Sequence, residues 1–407
     1  MDLEAECLSG FERETEYMGN EKPVNRISPL VSVSITTYQH KNFISQCLDG
    51  ILMQQTTFPV EIIIGEDEST DGTRDICIGY AEKHPDRIRL FLRNRRASHS
   101  FDENGNSVCS YNGRWNRLAA RGKYMAFCEG DDFWTDPFKL QKQVDFLEAN
   151  QDFAICHHNM QVIYEGLSGE PHLSNSPDQK EITTIIDLAK GNYIFTASCV
   201  FRNGLIKQAP EWSFKAPVGD YLIHMLNARF GKIRYFREPM GVYRIHRDGA
   251  WSTKDHIYHK EKWVELLELM ENYFSPEVNG ILKKGHADLC MFLLDHFKNQ
   301  PEKCRYYYDK VAVGNPMFGV NLFNDLAKQK EDLVKQREEY EQRITGLTTS
   351  LIYERQEYES KINAIYNSWS YKIGNLIIRP AWLIKKCFSL INSQLNKHDE
   401  TTSEENP

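Results

Sequence analysis

With 407 residues the chain exceeds an average single domain but is short for three, so one large domain with appendages is expected. A formal charge of −8 and a pI near 5.9 argue against a nucleic-acid partner, which needs a basic face to neutralise phosphates. Ten scattered cysteines without a C-x-x-C pair argue against a structural zinc site and fit a reducing, cytoplasmic compartment.

Residues 1–28 lack the apolar stretch of a signal peptide and read as a polar extension. From Val31 to Tyr38 the residues alternate as in a strand with a polar end, and Phe43, Ile44, Cys47, Leu48 and Ile51 then share one helical face. Val60–Gly65 is an apolar run of the kind buried on both faces of a sheet. The polar stretch 66–73 leads into a helix toward His84, and Ile88–Leu92 and Tyr124–Cys128 are further strands. Asp136-Pro137 is expected to open a helix as N-cap and first-turn proline. Strands alternating with helices predict an α/β fold, a doubly wound mixed sheet that binds ligands beyond the carboxyl ends of its strands. That makes the loops 36–40, 66–72 and 129–136 the places to look for a site.

Strands at Phe153–Ile163, Thr196–Arg202 and Lys232–Phe236 complete a domain over residues 29–252, and 253–320 is a helical region. Residues 321–362 are highly charged, with Leu326, Leu333, Tyr340 and Leu347 seven apart. They form either a short coiled coil that joins a homo-oligomer or a solvated single helix. A basic amphipathic segment follows at 363–396, then a polar tail at 397–407.

Cys128-Glu-Gly-Asp-Asp-Phe-Trp134 closes a buried strand with two adjacent carboxylates, which repel unless a divalent cation offsets them; hard oxygen ligands favour Mg²⁺ or Mn²⁺. After the Val60–Gly65 strand, Ser69, Thr70 and Asp71 can cap the next helix, leaving Glu66 and Asp67 for a nucleobase or ribose. Asp220, after Gly219 and before an apolar helix, serves either capping or catalysis. Arg244 and His246 would point the same way on a strand, either gripping a diphosphate or lying exposed. His157-His158 reads as one buried and one exposed residue, and Arg93, Arg95 and Arg96 as a solvated loop.

Taken in order, VSVSITTY, EIIIGEDESTDGT, GKYMAFCEGDDFWTDPFKLQKQVDFLE, VGDY and YRIHRDGAWS resemble glycosyltransferase family 2, across about residues 29–252. The EGDDFWTDP block is similar to bacterial enzymes of surface polysaccharide assembly. The resemblance implies the GT-A fold and an inverting transfer from a nucleotide sugar, UDP-linked, to an acceptor hydroxyl. It implies nucleoside binding by Thr36, Tyr38 and Asp67, with Glu66 standing where the family has a first aspartate. It places Asp131 on the diphosphate, Asp132 as direct metal ligand, Asp220 as general base, and Arg244 and His246 as diphosphate and metal contacts. Asn112-Gly-Arg-Trp-Asn-Arg117 departs from the family's Arg-Asn-x-Gly order. A non-catalytic scaffold that binds nucleotide and assembles through its helical tail is the alternative.

Residues 361–398 carry six basic and no acidic residues, a local +6 against −8 for the whole chain, which leaves −14 on the rest. Trp369, Tyr371, Trp382 and Phe388 are interleaved with aliphatic residues. The segment reads as an interfacial anchor on the anionic inner face of the cell membrane, suited to a glycan or lipid-linked acceptor, or as a helix packed on protein.

Overall fold

The structure, a computed structural model, describes residues 2–19, 28–101, 107–249, 251, 254–314 and 318–372. The chain divides into two units, Met1–Pro316 and Met317–Pro407.

The first unit runs α1 (Leu3–Glu12), β1 (Val31–Thr37), α2 (Ile44–Leu52), β2 (Val60–Asp67), α3 (Thr73–Lys83) and β3 (Ile88–Arg93). A ribbon, β4 (His99–Phe101) and β5 (Ser107–Ser110), precedes α4 (Asn112–Ala119), β6 (Tyr124–Glu129), β7 (Phe133–Trp134) and α5 (Lys139–Ala149). Then come β8 (Phe153–Glu165), β9 (His172–Leu173), β10 (Ile182–Thr183), α6 (Ile185–Leu188), β11 (Val200–Arg202), α7 (Gly219–Ala228) and β12 (Lys232–His246). Helices α8 (His256–Met270), α9 (Pro276–His296) and α10 (Pro301–Gly314) end the unit.

The main sheet has the order β10-β12-β8-β11-β6-β1-β2-β3. Pairs β6–β1, β1–β2, β2–β3 and β8–β12 are parallel, while β11 runs antiparallel between β6 and β8. The sheet is mixed and doubly wound, as expected, and a helical region follows it. Side chains alternate across it. Tyr124, Ala126 and Cys128 of β6 join a core with α2, α3 and α5 residues such as Leu48, Cys77 and Leu140. Met125 and Phe127 face the other way, into a core with Tyr221, Met225, Leu266 and Leu282. Helices α8 and α9 thus close the second core of the sheet domain, and no boundary near 252 separates them from it.

Several expectations are corrected. The extension at 1–28 is partly folded: Leu3 and Cys7 are buried against Tyr111, Trp115 and Phe214, and Trp115 Nε1 donates to the Cys7 carbonyl at 2.9 Å. Arg93 is buried, not solvated, paired with Glu14 at 2.7 Å and donating to Asn116 Oδ1 at 2.7 Å. His157 and His158 are both buried, because helices cover both faces of β8. Helix α5 starts at Lys139 with Phe138 at its N-cap; Asp136 instead accepts from the Phe138 N–H at 2.8 Å in the preceding turn.

In the second unit, α11 is one continuous helix, Phe318–Lys372. Its side chains from 331 to 365 are almost all exposed. The basic segment 361–398 lies outside the described residues from 373 onward. Among the described residues, no helix is long and apolar enough to cross a membrane.

Candidate active site

Register brings the three loops together. Thr36 lies opposite Gly65 on β2 and Glu129 on β6, so the carboxyl ends of β1, β2 and β6 are level. Strand β7 pairs with β12 at Gly241 and Val242, which folds the 129–134 loop over the end of β12. Gln39 ties the first two loops: its N–H donates to Ser69 Oγ at 2.9 Å, and its Oε1 accepts from the Thr70 and Asp71 N–H groups at 3.0 and 3.1 Å. Gln39 and Glu68 both hold positive φ, 58° and 62°, backbone strain that the cross-linking sustains.

Asp131 is the centre of one cluster. Its Oδ2 lies 3.2 Å from His246 Nε2 and 3.8 Å from His40 Nε2, and one ligand atom from each of the three falls within 4.8 Å of the others. Gly130 permits this approach, because a Cβ there would stand 2.6 Å from Thr37 Oγ1 and 2.7 Å from His40 Nδ1. Burial lowers the pKa of His40, against the pull of Asp131, and so favours the neutral imidazole that ligates metals. Burial opposes ionisation of Asp131, yet the His246 hydrogen bond and the charge of His40 hold it below the usual carboxylate range.

Asp132 has a different environment. It is 2% exposed, its Oδ1 accepts from the Arg244 N–H at 2.9 Å, and it lies outside the three-donor cluster. Burial, then the charge of Asp131, raises its pKa well above the normal value. Arg244 is 6% exposed and fully engaged: Nε donates to the Asp131 carbonyl at 2.9 Å, Nη2 to Gln46 at 2.7 Å, and Nη1 pairs with Glu165. Asp132 and Arg244 therefore brace the loop that presents Asp131.

On the nucleoside side, Asp67 pairs with Arg95 at 2.6 Å and accepts from Ser98 Oγ. Arg95 lies 3.8 Å from the ring centroid of Tyr38, which is 37% exposed and offers a flat face. Glu66 is wholly buried, accepts from the Ser69 N–H at 2.7 Å and pairs with Arg74, so both its oxygens shape the loop.

Asp220 sits in the first turn of α7 without capping it. The N-cap residue is Val218, and Asp220 Oδ2 accepts from Asn192 Nδ2 at 3.3 Å and Thr196 Oγ1 at 3.4 Å. Together with Thr36 and Glu129, Asp220 lines a cavity of about 1010 Å³. Burial, then the charges of Asp131 and Asp220, pushes Glu129 up to about 8. Sequence reasoning passed over His40, Glu129 and the Arg95–Tyr38 stack; His40 lay inside the loop 36–40, but nothing local tied it to Asp131, ninety-one residues away.

The sequence profile "Glycosyl transferase family 2" matches residues 32–100. An uncharacterized protein of Mycobacterium tuberculosis is 36% identical over 225 residues, 55% of this chain and 61% of that protein. The match thus spans about three fifths of that relative's length. EpsH of Bacillus subtilis, named a glycosyltransferase, is 25% identical over 280 residues, 66% of this chain and 75% of that protein. Among solved structures, Staphylococcus aureus TarS with UDP-GlcNAc has a TM-score of 0.45 at 16% identity, covering 66% of this chain and 72% of that one. Residues 32–100 thus match the glycosyltransferase family 2 model, and the chain is similar over a longer stretch to a protein named as a glycosyltransferase.

Proposed function

We propose that the chain transfers a sugar from a nucleoside diphosphate sugar, UDP-linked, to an acceptor hydroxyl with inversion, in bacterial surface glycan assembly. The observation that carries this reading is the convergence of His40, Asp131 and His246 at the carboxyl ends of the sheet, with Glu129 near enough to feel the charges of both Asp131 and Asp220. Two imidazoles and a carboxylate suit a divalent ion and favour Mn²⁺ over the all-oxygen preference of Mg²⁺. On this reading the direct ligand is Asp131, not Asp132. When bound, such an ion neutralises the departing nucleoside diphosphate. Tyr38, Asp67 and Arg95 hold the nucleoside, with Thr36 on the cavity wall beside them. Asp220 takes the proton of the acceptor hydroxyl as that oxygen attacks the anomeric carbon from the face opposite the leaving group.

Electron paramagnetic resonance of Mn²⁺ with UDP tests the site. His40→Ala is expected to weaken Mn²⁺ affinity by about 10–100-fold, the loss that even an outer partner of a ligand can cause. Unchanged Mn²⁺ binding would remove His40 from the set. Binding of UDP and Mn²⁺ without release of nucleoside diphosphate from any sugar nucleotide would favour the scaffold reading.

For the second unit, the support is the pattern on α11. Tyr340, Ile344, Leu347, Leu351 and Tyr358 keep heptad spacing and are each more than 60% exposed, which fits pairing with a second copy of this chain. The basic charge of 361–398 supports a peripheral place on anionic lipid.

A further inference from the structure

The cavity beside Asp220 extends past the catalytic centre to two arginines of α4, Arg114 and Arg117. Both are half-buried. Arg114 Nη2 donates to the Ser213 carbonyl at 2.5 Å and to Ser213 Oγ at 3.2 Å, and its guanidinium lies 3.9 Å from the Phe214 ring centroid. Among the described residues Arg117 has one hydrogen bond, from Nη1 to the Gly113 carbonyl at 3.3 Å. A Cβ on Gly113 would lie 3.9 Å from Arg117 Nη1 and 3.7 Å from Thr36 Cγ2, so this guanidinium stands close to the floor of the active site. Four carboxylates share the cavity wall, Glu4, Glu129, Asp220 and Glu265; among the described residues none forms an ion pair with either arginine.

Two adjacent cations without a counter-charge are costly in a protein, and each raises the cost of the other. Burial, then the charge of Arg114, pulls Arg117 down to about 9, which leaves it charged at neutral pH. Arg74, Arg89, Arg93, Arg95, Arg121 and Arg244 of this unit each meet a carboxylate. Arg202, also on the cavity wall, meets no carboxylate among the described residues but spends its guanidinium on the carbonyls of Leu147, Asn150 and Phe153, whereas Arg117 has no such set of acceptors.

We propose that Arg114 and Arg117 form an oxyanion subsite for a phosphate group carried by the acceptor. A phosphate monoester, at about −1.5 to −2, matches two guanidinium charges, whereas a single carboxylate leaves one uncompensated. The placement on the acceptor rests on the reading of Asp220 as the base: none of His40, Asp131 and His246 lines this cavity, which meets the centre at Thr36, Glu129 and Asp220. The diphosphate of the donor is provided for at the three-donor cluster. The acceptor would enter along α7, its hydroxyl at Asp220 and its phosphate on α4.

Titration calorimetry of the full-length chain with inorganic phosphate at pH 7 and constant ionic strength tests this, with acetate as the carboxylate control. One saturable phosphate site is expected, weakened about tenfold or more in Arg114→Gln and in Arg117→Gln, as for loss of a charge-assisted hydrogen bond. Arg96→Gln, outside the cavity, should bind as the parent does. UDP with Mg²⁺ should leave the phosphate affinity within about twofold. In the unsubstituted chain, phosphate should also slow hydrogen exchange across residues 112–119, a readout that survives if a variant does not fold. Equal phosphate binding in the glutamine variants, or acetate binding as tight as phosphate, would overturn the subsite. Displacement of phosphate by UDP–Mg²⁺ would overturn its assignment to the acceptor. Phosphate binding needs no turnover, so loss of UDP–Mn²⁺ binding alone would sink the transferase reading and with it the assignment to an acceptor, and leave the phosphate subsite itself standing.

Discussion

The two ends of the site are built differently. Around Asp131 nearly every polar group already has a protein partner: Gln39 ties two loops, Arg244 ties the third, and Asp132 accepts a backbone N–H. Around Asp220 the carboxylate has, among the described residues, two long hydrogen bonds, 3.3 and 3.4 Å, and it lines a cavity with Arg114 and Arg117, which meet no carboxylate there. A rigid end suits an ion and a diphosphate, whose geometry does not change between substrates. An open end suits an acceptor that must enter, be deprotonated and leave.

The neighbouring aspartates give the sharpest test of this contrast. Asp131→Asn is expected to cost about three orders of magnitude or more in kcat, because the several kcal/mol of charge stabilisation by the ion is lost. Asp132→Asn keeps an acceptor for the Arg244 N–H and should retain measurable Mn²⁺ binding and the parent's melting temperature. Asp132→Ala should lose about 1–3 kcal/mol of stability, since a buried N–H is left unmet. Equal loss of activity and metal in Asp131→Asn and Asp132→Asn, with unchanged stability in Asp132→Ala, would reverse the two roles.

At the open end, Asp220→Asn should reduce transfer by about 10²–10⁴-fold while UDP–Mn²⁺ affinity stays at the parent value. A parallel fall in nucleotide affinity would move Asp220 to the donor, and full transfer would remove it from the mechanism.

A third measurement probes what lies under the rigid end. Lys139 is wholly buried, its Nζ 4.0 Å from the Trp134 ring centroid and without a hydrogen bond. Burial lowers its pKa to about 8. The unfolded chain takes up this proton below about 10.4, the folded chain only below about 8, so between these values the unfolded state binds more protons. Stability should therefore rise with pH across that window, by up to about 3 kcal/mol from this group. Lys139→Met should remove that rise and be more stable than the parent at neutral pH. Denaturant unfolding of both proteins at pH 7.5 and 9.5 would show it, and identical pH slopes would refute it.

Much of this was legible in the residues. Apolar runs of strand length separated by periodic helices fix an alternating sheet, and acids at strand ends mark where ligands bind. The Arg244–His246 spacing, two apart on a strand, correctly put both on one face, and both meet Asp131. Which member of the adjacent pair meets His40 and His246 was not legible. Asp131 and Asp132 differ only in the turn that carries them, and that turn is set by the pairing of β7 with β12, over one hundred residues on. Likewise His40, Arg95 and Arg117 take their neighbours from strand register and packing. Local sequence sets periodicity and loop chemistry because those depend on near neighbours along the chain. The partners of a buried charge are chosen by packing, and only the assembled sheet brings them within reach.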